Sequence, residues 1–296
     1  MSENVFILGA GASFEAGAPL MNNFLDIAED LLVSGKVNEH REAYEAVFQA
    51  ISELQIVYSK SYLDLNNIES LFGAIEMGNI VDRLVKKTGE EIGLVRESLI
   101  KLIVHTLEKS MTFPVYDKRI HAPGAYSEFV ELVHDLGDSS FITFNYDLGL
   151  DYALLSNNQT TIDYCLTPER KGNMKLLKLH GSINWGKCEE CGEIIEYTLD
   201  NYFRRHRPQI WNDTEYYTLP VSNDLLDLEH CNVRLDNAPV IVPPTWNKSH
   251  YHGNLSNVWK EAALQLSEAR NIFVFGYSLP ETYSFFRYLF ALGTAS

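Results

Sequence analysis

Four short segments carry groups suited to chemistry: Gly9-Ala10-Gly11-Ala12-Ser13, Thr143-Phe144-Asn145-Tyr146-Asp147, Lys178-Leu179-His180-Gly181-Ser182 and Gly276-Tyr277-Ser278. The first follows an apolar run at residues 5–8. Small residues at Gly9, Ala10 and Gly11 let the backbone come close to a pyrophosphate, and a helix beginning after them would offer N–H groups and a positive dipole end. Asn145 has an amide donor and acceptor that can orient a water or a hydroxyl, and His180 can accept a proton near neutral pH. Each segment also has a plain structural reading. Glycine-rich turns join strands to helices, Asn145 and Asp147 suit turns and caps, and His180 suits a core histidine bonded to a carbonyl. Their joint occurrence at the ends of apolar runs favours the chemical reading.

The elements that would position these residues alternate along the chain. Phe24, Ile27, Ala28, Leu31 and Leu32 recur at helical spacing over residues 21–33. Residues 40–110 stay helical: Asn66 and Glu69 have the form of a capping pair before Leu71 and Phe72, and Val95, Leu99, Leu102, Ile103 and Thr106 make one core stripe. Tyr126, Phe129, Val130 and Val133 form another helix face, followed after Gly137 by a strand at 141–145. A strand at 176–179 ends at His180, and residues 186–251 lack clear periodicity. Leu255, Val258, Trp259, Ala262 and Leu266 restore a helix, a strand at 271–275 enters Gly276, and residues 283–292 read as a last helix.

This alternation predicts an α/β fold with a Rossmann-like, doubly wound, mostly parallel sheet. The expected core covers residues 1–35, 120–185 and 252–296 of a single domain, with a helical insertion at 36–119 and a small irregular module at 186–251. Ligands of open α/β sheets bind beyond the carboxyl ends of strands, so the four segments would converge on one crevice. Such a sheet normally receives one more strand after the final helix. The expectation is therefore a chain that continues into a further C-terminal segment or domain.

Composition narrows the partners. Lys and Arg number 24 against 40 Asp and Glu, a formal charge of -16, which argues against direct nucleic-acid binding. No apolar run approaches the ~20 residues of a membrane helix and no signal segment opens the chain, so a cytoplasmic protein is expected. The four cysteines, Cys165, Cys188, Cys191 and Cys231, are too few for a secreted disulfide framework. Cys188-Glu-Glu-Cys191 has the form of a structural zinc half-site, and Cys231 could add a third ligand. His230 and Cys231 are adjacent, poor placement for both on one ion, so Cys165 or His206 competes as the remaining ligand, and a metal-free module is the alternative.

With these residues in view, the chain resembles the sirtuins, and more closely the sirtuin-like NAD-hydrolysing effectors of bacterial antiviral defence. Gly9–Ser13 with Gly17-Ala18-Pro19 is similar to the family's phosphate-binding segment, 143–147 to its Thr-Gln-Asn-Ile-Asp segment, Leu179-His180-Gly181 to the strand end with its catalytic histidine, and 276–278 to its Gly-Thr-Ser turn. The resemblance implies NAD as substrate, with His180 as general base and Asn145 orienting a water or ribose hydroxyl. Asp147 and the Tyr146 backbone would hold the nicotinamide carboxamide. Gly9, Ala10, Gly11, Ala12, Ser13, Pro19, Thr143, Gly181, Gly276, Tyr277 and Ser278 would contact phosphates and ribose.

Departures from the deacylating members bear on the reaction. Gly17-Ala-Pro-Leu-Met-Asn22 lacks their acid and arginine, and residues 240–248 replace their peptide-binding Phe-Gly-Glu. Water then becomes the acceptor, giving an NAD hydrolase whose activity a homo-oligomer, a regulatory domain or a partner protein would restrain. An NAD or ADP-ribose sensor without turnover and an NAD-dependent protein deacylase are the alternatives.

Overall fold

The computed structural model describes residues 3–61, 64–156, 160–169, 172–206, 215–235, 238–242, 249–277 and 284–294. Its centre is β1 (Asn4–Leu8), buried at all five positions, as a continuous apolar strand covered on both faces requires. On one side of β1 come β4 (Ser139–Thr143), β6 (Met174–Lys178) and β5 (Ile162–Asp163), and on the other side β12 (Asn271–Phe275). All four pairings are parallel. The chain winds from β1 towards β4 and β6, then returns to β12 across β1. The winding direction therefore reverses at β1, the kind of switch point beyond whose carboxyl end open α/β sheets place their ligands.

Register stacks the aromatic rings that tie the sheet together. Phe6 pairs with Phe273 and Phe141 on its neighbours, with ring centroids 5.0 and 5.6 Å apart. Phe129 of α5 (Gly124–His134) meets Phe6 edge-on at 5.5 Å, a favoured aromatic geometry. α8 (Ser249–Glu268) buries Leu255, Val258, Ala262 and Leu266, and its Trp259 indole donates to the Leu179 carbonyl at 3.2 Å, beside the strand end that carries His180. A further helix, α9 (Ser284–Thr294), covers the span read as helical from its second residue to its end and runs two residues further. Among the described residues no helix is long and apolar enough to cross a membrane.

α1 (Phe24–Val33) starts three residues later than its periodicity suggests, because Asn23 Oδ1 accepts from Leu20 N and holds the preceding turn. The helical insertion contains α2 (Arg41–Ser61), α3 (Ile68–Ile80) and α4 (Glu90–Ser110). The α4 stripe is buried as read. The cap of α3 is Asn67, not Asn66: its Oδ1 accepts from Glu69 N and Ser70 N. The sequence reading also misses a hairpin, β2 (Phe113–Tyr116) and β3 (Arg119–Ile120), whose turn residues Asp117 and Lys118 both have positive φ. Proline at position 114 and strands this short conceal it. β2 pairs also with β9 (Tyr216–Tyr217), linking the insertion to the small module.

That module is more regular than its sequence suggests. It holds an antiparallel pair β7 (Trp185–Lys187) and β8 (Ile194–Glu196), then α7 (Leu199–His206) and a second pair β10 (Glu229–His230) and β11 (Val233–Arg234). Strands of two or three residues are too short for an alternation to register.

Candidate active site and metal centre

The turns after β1 and β12 meet backbone to backbone. Gly9 N donates to Phe275 O at 3.0 Å, Gly11 N to Gly276 O at 2.9 Å and Ala12 N to Gly9 O at 3.0 Å. A Cβ on Gly9 would lie 2.6 Å from Gly276 O, and one on Gly276, at φ +59, only 2.2 Å from Ala12 N. These glycines are thus required where two strand-end turns approach, the contact only a missing side chain permits. The expected helix does not follow directly. A 3-10 turn spans Ala10–Ser13, and Gly17, at φ +89 against the Ser110 carbonyl, redirects the chain through buried Pro19 before α1 begins. Of the β12 turn, Tyr277 stacks on Phe144 at 4.4 Å, while Ser278 lies outside the described residues.

Ser13 is the hub between the first and second turns. Its Oγ donates to Asp147 Oδ2 at 2.7 Å and accepts from Asn145 Nδ2 at 2.9 Å. Tyr126 OH lies 2.7 Å away. With the serine hydrogen on the carboxylate, Tyr126 is the donor of that third bond. Asn145 Nδ2 also donates to Gly9 O at 3.0 Å, and Asn145 N to Thr143 Oγ1 at 3.1 Å. Thr143 Oγ1 in turn donates to Leu8 O at 3.1 Å, so the loop after β4 is bonded directly to the end of β1.

Asp147 completes a turn of its own, with Oδ1 accepting from Gly149 N at 2.9 Å at the start of α6 (Gly149–Leu155). Burial holds its carboxyl above the usual carboxylate range, opposed by the nearby Lys178 ammonium and by the bonds from Gly149 and Ser13. Burial likewise raises the phenols of Tyr126 and Tyr146, so both stay protonated donors. Tyr146 OH donates to Val242 O at 2.9 Å.

His180 is 1% exposed. Its ring meets Phe144 edge-on at 5.2 Å and lies 6.2 Å from the Tyr146 ring. The strip at 240–242 runs alongside: Val242 N donates to His180 O at 2.7 Å and Ser182 N to Val240 O at 3.0 Å. Gly181, at φ +86, has no room for a Cβ, which would fall 1.9 Å from Val240 O. Residues 243–248 of the departure noted above lie outside the described residues.

The structure therefore brings Gly9–Ser13, Thr143–Asp147, His180–Gly181 and Gly276–Tyr277 to the carboxyl ends of four neighbouring strands. It adds residues that the sequence reading did not assign. Tyr126 was read only as part of a helix face. Lys178 stands in a motif singled out for its histidine, and its buried partner Asp151 lies in the first turn of α6, with no local sequence signal to connect the two.

In the small module, Cys188, Cys191, His230 and Cys231 present one ligand atom each, all within 4.8 Å of one another. This corrects the objection to adjacent ligands. Cys231 and Asn232 both have positive φ, at 52 and 62, forming the two-residue turn between β10 and β11. That turn lets His230 and Cys231 face the same point, each 3.4 Å apart as Nδ1 and Sγ, with Cys191 Sγ also 3.4 Å from the imidazole. The other half-site is the tip between β7 and β8, closed by Gly192 at φ +76. Cys165 and His206 do not join them: Cys165 bonds to Asp163, and His206 lies 2.7 Å from Asp224. Three thiols and one imidazole match tetrahedral zinc, and Glu193, 3.4 Å from His230 Nε2, is placed as the carboxylate that orients a metal-binding histidine.

No protein-family model matches the sequence, and no curated protein does. Among solved structures, the chain is similar to a Sir2 homologue in complex with NAD, at 15% identity, TM-score 0.43, covering 98% of this chain and 74% of that one. It is similar also to a Sir2 homologue variant in complex with ADP-ribose, at 15% identity and TM-score 0.40, covering 99% and 78%. A third is Sir2 with the inhibitor EX-527, 2'-O-acetyl-ADP-ribose and a deacetylated p53 peptide, at 17% identity and TM-score 0.37, covering 98% and 77%.

Proposed function

We propose that the chain binds NAD beyond the ends of β12, β1, β4 and β6 and cleaves its nicotinamide–ribose bond, with water as acceptor, releasing nicotinamide and ADP-ribose. The observation that supports this best is the bonded set Ser13, Asn145 and Asp147 with His180 delivered by the next strand. Cleaving that bond develops positive charge on the ribose, so the site must fix the ribose, hold the leaving group and position a nucleophile. Asn145 uses both amide hydrogens on Gly9 O and Ser13 Oγ. What it offers a water or a ribose hydroxyl is therefore Oδ1, an acceptor. His180 takes the proton as general base. Asp147 and the Tyr146 backbone hold the carboxamide, Ser13 holds Asn145 and Asp147 in place, and Ser278 and the glycine turns serve phosphates and ribose.

Zinc in the four-ligand centre would be structural, joining the two hairpin tips of the small module, and takes no part in the chemistry. We read the protein as a cytoplasmic effector of antiviral defence, restrained until it assembles with further copies, a regulatory domain or a partner, since unchecked hydrolysis would deplete the host's NAD. The motif resemblance supports this regulatory reading. Incubating the protein in its assembled form with NAD and identifying products by mass tests the reaction. Nicotinamide and ADP-ribose without any acylated peptide are expected; intact NAD would refute the reaction, and turnover only with an acylated peptide would make the protein a deacylase.

A further inference from the structure

β6 carries a lysine, Lys178, two residues before His180, and that side chain is fully buried. An ammonium in such a place needs three acceptors and a counter-ion. Lys178 Nζ donates to Asp147 O at 2.5 Å, to Tyr146 O at 3.5 Å, and to the Asp151 carboxylate at 3.1 and 3.3 Å. Asp151, itself 1% exposed, is held by Tyr164 OH at 2.6 Å. The Tyr146 carbonyl also accepts from Ile183 N at 3.1 Å and from Ser182 Oγ at 3.3 Å. The segment on both sides of His180 therefore grips the backbone of the loop that carries Asn145 and Asp147.

We infer that Lys178, with Asp151 as its counter-ion, is a positioning residue that fixes the Asn145–Asp147 loop against the His180 strand end. The inference rests on the proposed NAD chemistry for its consequence and on the hydrogen bonds for its geometry. A purely structural role would be met equally well by an apolar pair of the same volume, since buried ion pairs rarely add net stability. This pair instead directs its hydrogens onto the carbonyls of two residues placed in the site. Its charge also acts on Asp147, which faces Ser13 of the first turn, Tyr126 of α5, Asp151 of α6 with its partner Tyr164, and Glu108 of α4, which lines the same small cavity. Lys178 is the cation within this group, and the lowering of the Asp147 carboxyl by its charge outweighs the raising by Asp151.

The test is the double variant Lys178→Met with Asp151→Leu, which removes both charges together and leaves neither buried alone. A cooperative thermal transition like the wild type's is expected. Turnover of NAD should fall at least about tenfold at pH 7, with the acid limb of its pH profile moved to higher pH because Asp147 then ionises less readily. Hydrogen exchange supplies a readout independent of catalysis: the Ile183 and Gly149 amides, bonded to Tyr146 O and Asp147 Oδ1, should exchange at least about tenfold faster, with Phe6 in β1 unchanged. If the wild type leaves NAD intact, the proposed reaction fails while exchange still tests the clamp. Unchanged exchange, an unmoved pH profile in a folded and active variant, or loss of cooperative unfolding would each overturn the positioning role.

Discussion

Ser13 Oγ and Asn145 Nδ2 lie 2.9 Å apart, joining the turn after β1 to the loop after β4 through one hydrogen bond. The serine hydroxyl has one hydrogen and two lone pairs, and all three are used, on Asp147, Asn145 and Tyr126. Two catalytic candidates thus depend on a third residue that has no reactivity of its own to contribute.

Replacing Ser13 by alanine should therefore cost both stability and activity. Asp147 Oδ2 and Tyr126 OH would lose their shared partner in a buried site, destabilising the fold by about 2–3 kcal/mol. Turnover of NAD should fall at least about tenfold through the freed Asn145 amide. Urea unfolding and steady-state kinetics check the two effects separately.

The metal centre predicts a stoichiometry. Purified protein should carry one zinc per chain by elemental analysis, and Cys191→Ser should lose it. Since zinc there would join two hairpins that are each too short to stand alone, its removal should lower the thermal midpoint by several degrees, roughly 1–3 kcal/mol. A metal-free wild type with an unchanged midpoint after chelation would leave the four residues as a thiol cluster only.

Two buried groups of α4 couple stability to pH in opposite directions. Burial pushes the Glu108 carboxyl up to about 7, despite the Ser222 amide at 2.8 Å. The folded state then holds a proton that the unfolded state releases, so its contribution falls as pH rises from about 4.5 to about 7. Burial pushes the His105 imidazole down to about 4, helped by neighbouring His40 and Lys109. Its contribution is complete above about 6.5 and is lost as pH falls towards about 4. The two nearly cancel over the same window. Glu108→Gln removes one of them, so the variant should gain about 3 kcal/mol relative to wild type at pH 8 and nothing at pH 4. Denaturant unfolding at both pH values measures it.

Much of the framework was legible because its signals are local. The apolar runs ending in Gly9, Asn145, His180 and Gly276 gave the parallel strands, and the spacing in α4 gave its buried stripe. What lay hidden depends on contacts between distant residues. Nothing near Gly9 shows that its missing side chain makes room for Gly276, or that Gly17 turns the chain away from an immediate helix. Lys178 reads as an ordinary charged residue until Asp151 and two carbonyls are found around it. The adjacency of His230 and Cys231 looked unfavourable only without the positive-φ turn that aims both at the Cys188–Cys191 tip.

The most direct test of the central claim is NAD turnover by the assembled protein compared with His180→Ala and Asn145→Ala, with products identified by mass and folding checked by thermal melts. The account predicts nicotinamide and ADP-ribose from the wild type and at least about a hundredfold loss in both variants, each still folded and still binding NAD. Equal turnover by wild type and either folded variant would contradict it, as would a wild type that binds NAD and leaves it intact.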